Sequence, residues 1–162
     1  MSNDPSFSPP RSGSNTRVPP HNVDAEASLL GAMLLSRDAI GPAVEKLSGD
    51  QFYVPVHGYI FDAIASLYGA GEPADPVTVA EELSRADLLE QVGGPQRLLE
   101  LQMATPASSN AARYATIVEE HALLRRLIGV AGDIVELGYS HPEDVVKTVD
   151  EAEAMRSAER RG

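Results

Sequence analysis

The sequence predicts an all-α protein, a compact helical bundle followed by a long antiparallel helical hairpin used for self-association. Three observations carry this. From Asn22 onward the apolar residues recur at spacings of three and four, the period of a helix with one buried face. No run of β-branched residues is flanked by hairpin-turn residues, so no strand pair is expected. Helix start and stop signals, capping boxes and Gly/Pro runs, divide the chain into segments of helical length.

Residues 1–20 stand apart. They hold five of the 12 prolines and five serines, and Phe7 is their only large apolar side chain between Met1 and Val18, a composition that reads as a flexible tail. Residues 21–112 are expected to form the globular bundle. A first helix runs from Asp24 to Leu35 with Leu29, Leu30, Met33 and Leu34 inward, and a short second one carries Ile40, Val44 and Leu47. A third covers about 57–68, with Tyr59, Ile60, Ile64 and Leu67 inward, and the run Gly69-Ala70-Gly71-Glu72-Pro73 ends it. Thr78 followed by Glu81 reads as a capping box opening the next helix, and Gly93-Gly94-Pro95 precedes a helix through Leu98, Leu99 and Leu101.

Residues 113–162 are expected to form the hairpin, a long helix over about 110–137 and a return helix over about 141–156 opened by a second box, Ser140 to Glu143. In the long helix Tyr114, Ile117, Val118, His121 and Leu124 share a stripe of about 120°, wide enough for one core. Beyond it Leu123, Leu124, Leu127, Ile128, Val130, Ala131, Ile134, Val135 and Leu137 cover about 180°, too wide for one partner helix. The return helix offers Val145, Val146, Val149, Ala152 and Met155 as the first partner, and a second copy of the hairpin is expected to cover the remainder. The self-association residues are therefore Leu123, Leu127, Val130, Ile134, Leu137, Val145, Val149 and Ala152. A hairpin folded back inside the monomer is the competing arrangement.

Composition narrows the function. The chain has 162 residues, no cysteine, and 13 Lys and Arg against 24 Asp and Glu, a net charge of −11. Without thiols, disulfides, thiolate metal sites and cysteine nucleophiles are excluded. Residues 1–22 carry +1, so the remainder carries −12 and disfavours strong direct DNA binding, which draws on Lys and Arg displacing counterions. The longest apolar run, Leu29 to Leu35, is far short of the ~20 residues of a membrane span, and no secretory signal opens the chain, so the expected compartment is the cytoplasm.

Catalytic constellations are not found. The two lysines, Lys46 and Lys147, do not sit in a Gly-Lys-Ser/Thr phosphate loop, and Gly129 and Gly132 lack dinucleotide-loop spacing and are expected to ease helix packing. His21, His57, His121 and His141 never fall four apart, so structural roles are expected of them. The adjacent acids Glu81-Glu82, Glu119-Glu120 and Asp150-Glu151 point to different helix faces and read as solvated. The doublets Arg125-Arg126 and Arg160-Arg161 have no interleaved aromatics and are expected to pair with neighbouring acids. The residues thus expect no catalytic, cofactor-binding or metal site in this chain.

The segment VPPHNVDAEASLLGAMLLSRDAI (18–40) resembles the opening of the N-terminal domain of bacterial replicative helicases of the DnaB type. FYVPVHGYIFDAIASLYGAGEPADPVTVAEEL (52–83), LLEQVGGPQRLLEL (88–101) and TPASSNAARYATIVEEHALLRRLI (105–128) resemble its later blocks, in the same order. The resemblance implies a bundle whose C-terminal hairpins pair, three dimers forming a collar on a hexameric ring, with primase and helicase loaders docking on it. It also implies that the chain ends at the linker to an absent C-terminal motor, where ATP and Mg would bind. Asp24 stands where the family usually has Glu; residues near there have been associated with primase coupling, so Asp24 is the candidate docking residue, although its position favours a helix-capping role. A stand-alone helical adaptor, a direct nucleic-acid binder, or a small enzyme whose site assembles only in three dimensions are the alternatives.

Overall fold

The computed structural model describes residues 17–159. The expected tail lies almost entirely outside them, as does Arg160-Arg161. Seven α-helices follow one another among the described residues, with no strand: α1 Val23–Leu35, α2 Ile40–Lys46, α3 Pro55–Gly69, α4 Pro76–Arg85, α5 Gly94–Ala104, α6 Ala111–Tyr139 and α7 Val145–Glu159.

Helix α1 is the centre of the bundle, packed on α3, α5 and α6. Its apolar residues wrap most of the helix, and Leu29, Leu30, Ala32 and Met33 are excluded from solvent. A helix apolar on nearly all sides must be surrounded. Around it lie Ile60, Phe61 and Ile64 of α3, Val79 and Leu83 of α4, and Leu98 and Leu101 of α5, with Phe52 tilted onto Phe61 at 5.1 Å between ring centres. Gly31 permits the closest approach, since a Cβ there would run into the Leu101 carbonyl of α5 and the hydroxyl of Thr105 just after it.

Local chemistry sets the helix ends, in several places one turn from where the sequence pattern put them. Asn22 caps α1, its Oδ1 accepting from the Ala25 amide at 2.9 Å; Asp24 is not the cap but an exposed first-turn acid. The capping box of α4 is Asp75 with Thr78, not Thr78 with Glu81: Asp75 Oδ1 accepts from the Thr78 amide and Thr78 Oγ1 accepts from the Asp75 amide, both at 2.9 Å. Pro76 at the first helical position fixes this register. Helix α5 starts at Gly94 with Gly93 as its cap, at φ 76° and 105°, two successive left-handed residues that only glycine adopts without strain. At α7 the oxygen bonded to the Lys147 amide comes from Asp144, at 3.0 Å, whereas Ser140 ends α6 and donates its hydroxyl to the Leu137 carbonyl.

Inward positions also shift. Tyr59 and Leu99 are exposed at 37% and 47%, while Phe61, two residues after Tyr59, is buried. On α6 the buried positions are Ala111, Ala115, Val118 and Ala122, with Tyr114, Ile117 and His121 flanking them half-buried and Leu124 exposed. Small residues take the centre because α1 lies close against α6. The first three turns of the segment assigned by sequence to the hairpin thus belong to the bundle core.

Candidate interaction surface

After Ala122 the environment of α6 changes. No later residue of α6 or α7 is buried, although the apolar pattern continues. Helix α7 returns antiparallel along α6, and at its end Glu159 Oε2 accepts from Arg126 Nε at 2.6 Å. Of the predicted self-association residues, Val130, Ile134, Leu137 and Ala152 are half-buried between the two helices. Leu123, Leu127, Val145 and Val149 are exposed at 40%, 54%, 62% and 50%. The list therefore divides into residues that close the hairpin on itself and Leu127, Val145 and Val149, which face outward, while Leu123 is in line with Val130 and Ile134 but borders the cavity at the root of the hairpin.

Helical periodicity shows which way the outward set faces. On α6, Leu124, Leu127, Ile128, Val135 and Tyr139 fall within an arc of about 120°, beside the stripe that meets α7. Val145, Val146 and Val149 occupy the corresponding flank of α7, and because the helices are antiparallel the two flanks lie on the same side of the hairpin. Asp133 and Glu136 of α6, and Lys147, Asp150 and Glu151 of α7, fall on the opposite side. Glu153 and Arg156, nearer the end of α7, fall on the same flank as its valines, so the hairpin is a two-helix layer with one side mainly apolar toward the α6–α7 turn and one predominantly acidic side. A contiguous apolar surface of this kind is what interaction sites present.

The bundle carries the remaining candidate. Asp24 borders a cavity of about 270 Å³ between α1 and α5, with Arg97, Glu100 and Thr105 on its walls. No hydrogen bond fixes its side chain, so it is available at the surface but not part of a built site. Gly129, Gly132 and Gly138 lie in open space among the described residues, and a Cβ at any of them would meet no atom of another described segment within 4 Å. Contrary to the expectation from sequence, the first two do not ease packing within the chain.

Sequence reasoning missed the most constrained polar group. Glu26, in the middle of the apolar run of α1, is 2% exposed. Its Oε2 accepts from the Tyr53 amide at 2.8 Å, and its Oε1 from the Val54 amide at 3.2 Å and from His57 Nδ1 at 3.0 Å. Val54 occupies the cap position of α3 and has no side chain able to cap, so α1 supplies the oxygens that α3 lacks. Burial pushes the Glu26 carboxyl up, but the His57 hydrogen bond, the two backbone amides and the His57 charge outweigh it and hold the carboxyl below the ordinary range. The available signal was a lone acid within a buried helix and a histidine three residues into the next long one. His57 is structural, as expected, and so is His121, bonded through Nδ1 to the Ile117 carbonyl at 2.8 Å.

Among the described residues no group of three or more His, Cys, Asp or Glu is placed to hold a metal ion, and no helix is long and apolar enough to cross a membrane. Residues 18–120 match the family described as the DnaB-like helicase N terminal domain. The chain belongs to this family. The replicative DNA helicase DnaB of Mycobacterium leprae is 49% identical over 140 residues, 85% of this chain and 23% of that protein. The DnaB of Leifsonia xyli is 45% identical over 138 residues, 85% of this chain and 30% of that one. The chain thus spans under a third of the length of these curated relatives. The crystal structure of the N-terminal domain of DnaB helicase from Mycobacterium tuberculosis superposes with a TM-score of 0.81 at 48% identity, covering 85% of this chain and 97% of that one. The Helicobacter pylori DnaB N-terminal domain, described with its interactions with primase, shares the fold, with a TM-score of 0.62 at 21% identity over 72% of this chain and 90% of that one.

Proposed function

We propose that this chain is an assembly and docking module of a replicative DNA helicase, self-associating through the apolar side of the α6–α7 hairpin and presenting the α1–α5 bundle to partner proteins. The observation that carries it is the exposed apolar side formed by Leu124, Leu127, Ile128, Val145 and Val149, on a hairpin whose other side is predominantly acidic. An isologous pair of hairpins buries this side on both copies and leaves the acidic sides in water. Membership of the family supports the extension to three such dimers in a hexameric collar. Primase and a helicase loader are the proposed partners of the bundle; the Helicobacter pylori domain of the same fold is described together with primase. Catalysis belongs to the full-length protein, an ATP-dependent DNA helicase in this reading. ATP and Mg bind in its C-terminal part, and this chain contributes no catalytic, cofactor or metal site. Repetition of the module around a ring raises the effective concentration of weak docking contacts.

Light scattering across concentration tests the first part. The wild-type chain forms dimers or larger assemblies, and Leu127→Asp yields a soluble monomer with unchanged helical circular dichroism. A wild-type monomer at high concentration defeats the reading, as does an unfolded Leu127→Asp, which would make Leu127 a core residue. Calorimetric titration with the cognate primase tests the second part, and absence of binding removes it.

A further inference from the structure

Where α6 leaves the bundle, two consecutive arginines point to different partners. Arg126 reaches Glu159 at the end of α7 and ties the hairpin to itself. Arg125 reaches the bundle: its Nη1 donates to the Pro20 carbonyl at 2.8 Å and its Nη2 to the Gln51 carbonyl at 2.6 Å. The same guanidinium lies 5.7 Å from the centre of the Tyr53 ring, on which His21 stacks with ring centres 4.0 Å apart. His21 Nδ1 in turn lies 2.7 Å from the Pro19 carbonyl. Residues 17–22 form a strap without regular secondary structure, and Arg125 joins it to the turn Gly49–Gln51 and to the root of the hairpin.

Packing at this point is otherwise thin. Ala122 is the last buried residue of α6, and a cavity of about 490 Å³ lies between α6 and the 48–51 turn, lined by Ser48, Gln51, Ala122, Leu123 and the two arginines. Helix α6 runs unbroken through this point, so a change of angle is a tilt or gentle bend of the whole helix where it leaves α1, and little apolar contact beside the cavity opposes it. The forked guanidinium spans two carbonyls from separate segments, which a lysine ammonium does not do in one geometry.

We propose that Arg125 is a latch that sets the angle between the hairpin and the bundle, with the strap 17–22 and Tyr53 as its keeper. Its release lets α6 tilt or bend where it leaves the bundle core at Ala122, carrying the hairpin with it. The angle governs how the apolar side of the hairpin is aimed relative to the bundle, and the latch is intramolecular, so it holds whether or not hairpins pair.

The chain has no cysteine, so two can be introduced and spin-labelled cleanly. Labels at Gln96→Cys on α5 and Glu136→Cys on α6, diluted with unlabelled chain to suppress distances between copies, report the bundle-to-hairpin distance by pulsed electron resonance. In the wild-type background the distribution is narrow. Arg125→Gln broadens it about twofold, the response of a helix freed from its stop, and Arg125→Lys does not restore it. Arg126→Gln, which breaks only the tie within the hairpin, leaves it narrow. Equal widths for wild type and Arg125→Gln overturn the latch, and so does broadening by Arg126→Gln alone. Should Arg125→Gln fail to fold, His21→Ala, which removes the stack on Tyr53 and the contact with the Pro19 carbonyl but leaves Arg125 in place, gives a smaller broadening if the latch is real and none if it is not. Light scattering on the same samples separates the two ideas, since a monomer with a narrow distribution defeats self-association and leaves the latch standing.

Discussion

The bundle and the hairpin are written in the same alphabet of leucine, isoleucine, valine and alanine, yet they end in opposite environments. Leu29, Leu30, Ile60 and Leu98 are wholly buried, whereas Leu127, Ile128, Val145 and Val149 are at least half exposed. The difference lies in the number of neighbours. Helix α1 has three helices around it, while the outer half of α6 has only α7. Apolar residues in the first region stabilise the monomer; in the second they stabilise whatever covers them.

Leu29→Ala at the centre of the bundle lowers unfolding stability by about 2–5 kcal/mol in urea titration, through lost transfer energy and the cavity left behind. The contrast fails if Leu127→Ala has a comparable effect in dilute monomer, where an exposed leucine should matter far less. Glu26→Gln removes the charge behind three hydrogen bonds and lowers stability by about 1.5–3 kcal/mol at neutral pH. Its pH dependence carries a definite sign. Because the folded carboxyl titrates below its unfolded value, its contribution is fully present above the ordinary carboxylate range and is lost as pH falls through the lowered folded value. Denaturation curves of wild type and Glu26→Gln therefore converge on acidification, and a gap constant with pH would contradict the assignment. Asp75→Ala unmakes the α4 cap at a cost of about 1 kcal/mol in thermal unfolding, without altering the mass in solution. Arg126→Gln, at a partly exposed ion pair at the end of the hairpin, changes stability by less than about 1 kcal/mol.

The self-association proposal is sharpened by salt. If the acidic sides of the hairpins stay in water, their repulsion in a dimer is long-range and screened, so added salt strengthens association in sedimentation measurements. Association that weakens with salt would place charged groups within the interface.

Much of the architecture was legible in sequence because helix formation is a local matter. The 3.6-residue period of Leu29, Leu30, Met33 and Leu34, the glycines before α5 and the Gly/Pro run after α3 all act within a few residues. Cap assignments slipped at Thr78 and Ser140 because several hydroxyl and carboxylate side chains compete within one turn, and the choice depends on which register the rest of the helix adopts. The wide apolar arc of the hairpin was also legible, being a property of one helix. How it divides between Val130, Ile134 and Leu137 toward α7 and Leu127 and Ile128 outward depends on where the return helix lies.

By itself the sequence determined that the chain is helical, that it is acidic, that its apolar surface on the last two helices exceeds what one partner covers, and, through ordered blocks of residues, its family resemblance. These are sums over local patterns. Only the tertiary structure decided that Glu26 of α1 caps α3, that Arg125 binds the carbonyls of Pro20 and Gln51, and that the core reaches along α6 to Ala122. Each of these joins residues tens of positions apart, and their energies depend on direction and distance, which no periodicity in the chain encodes.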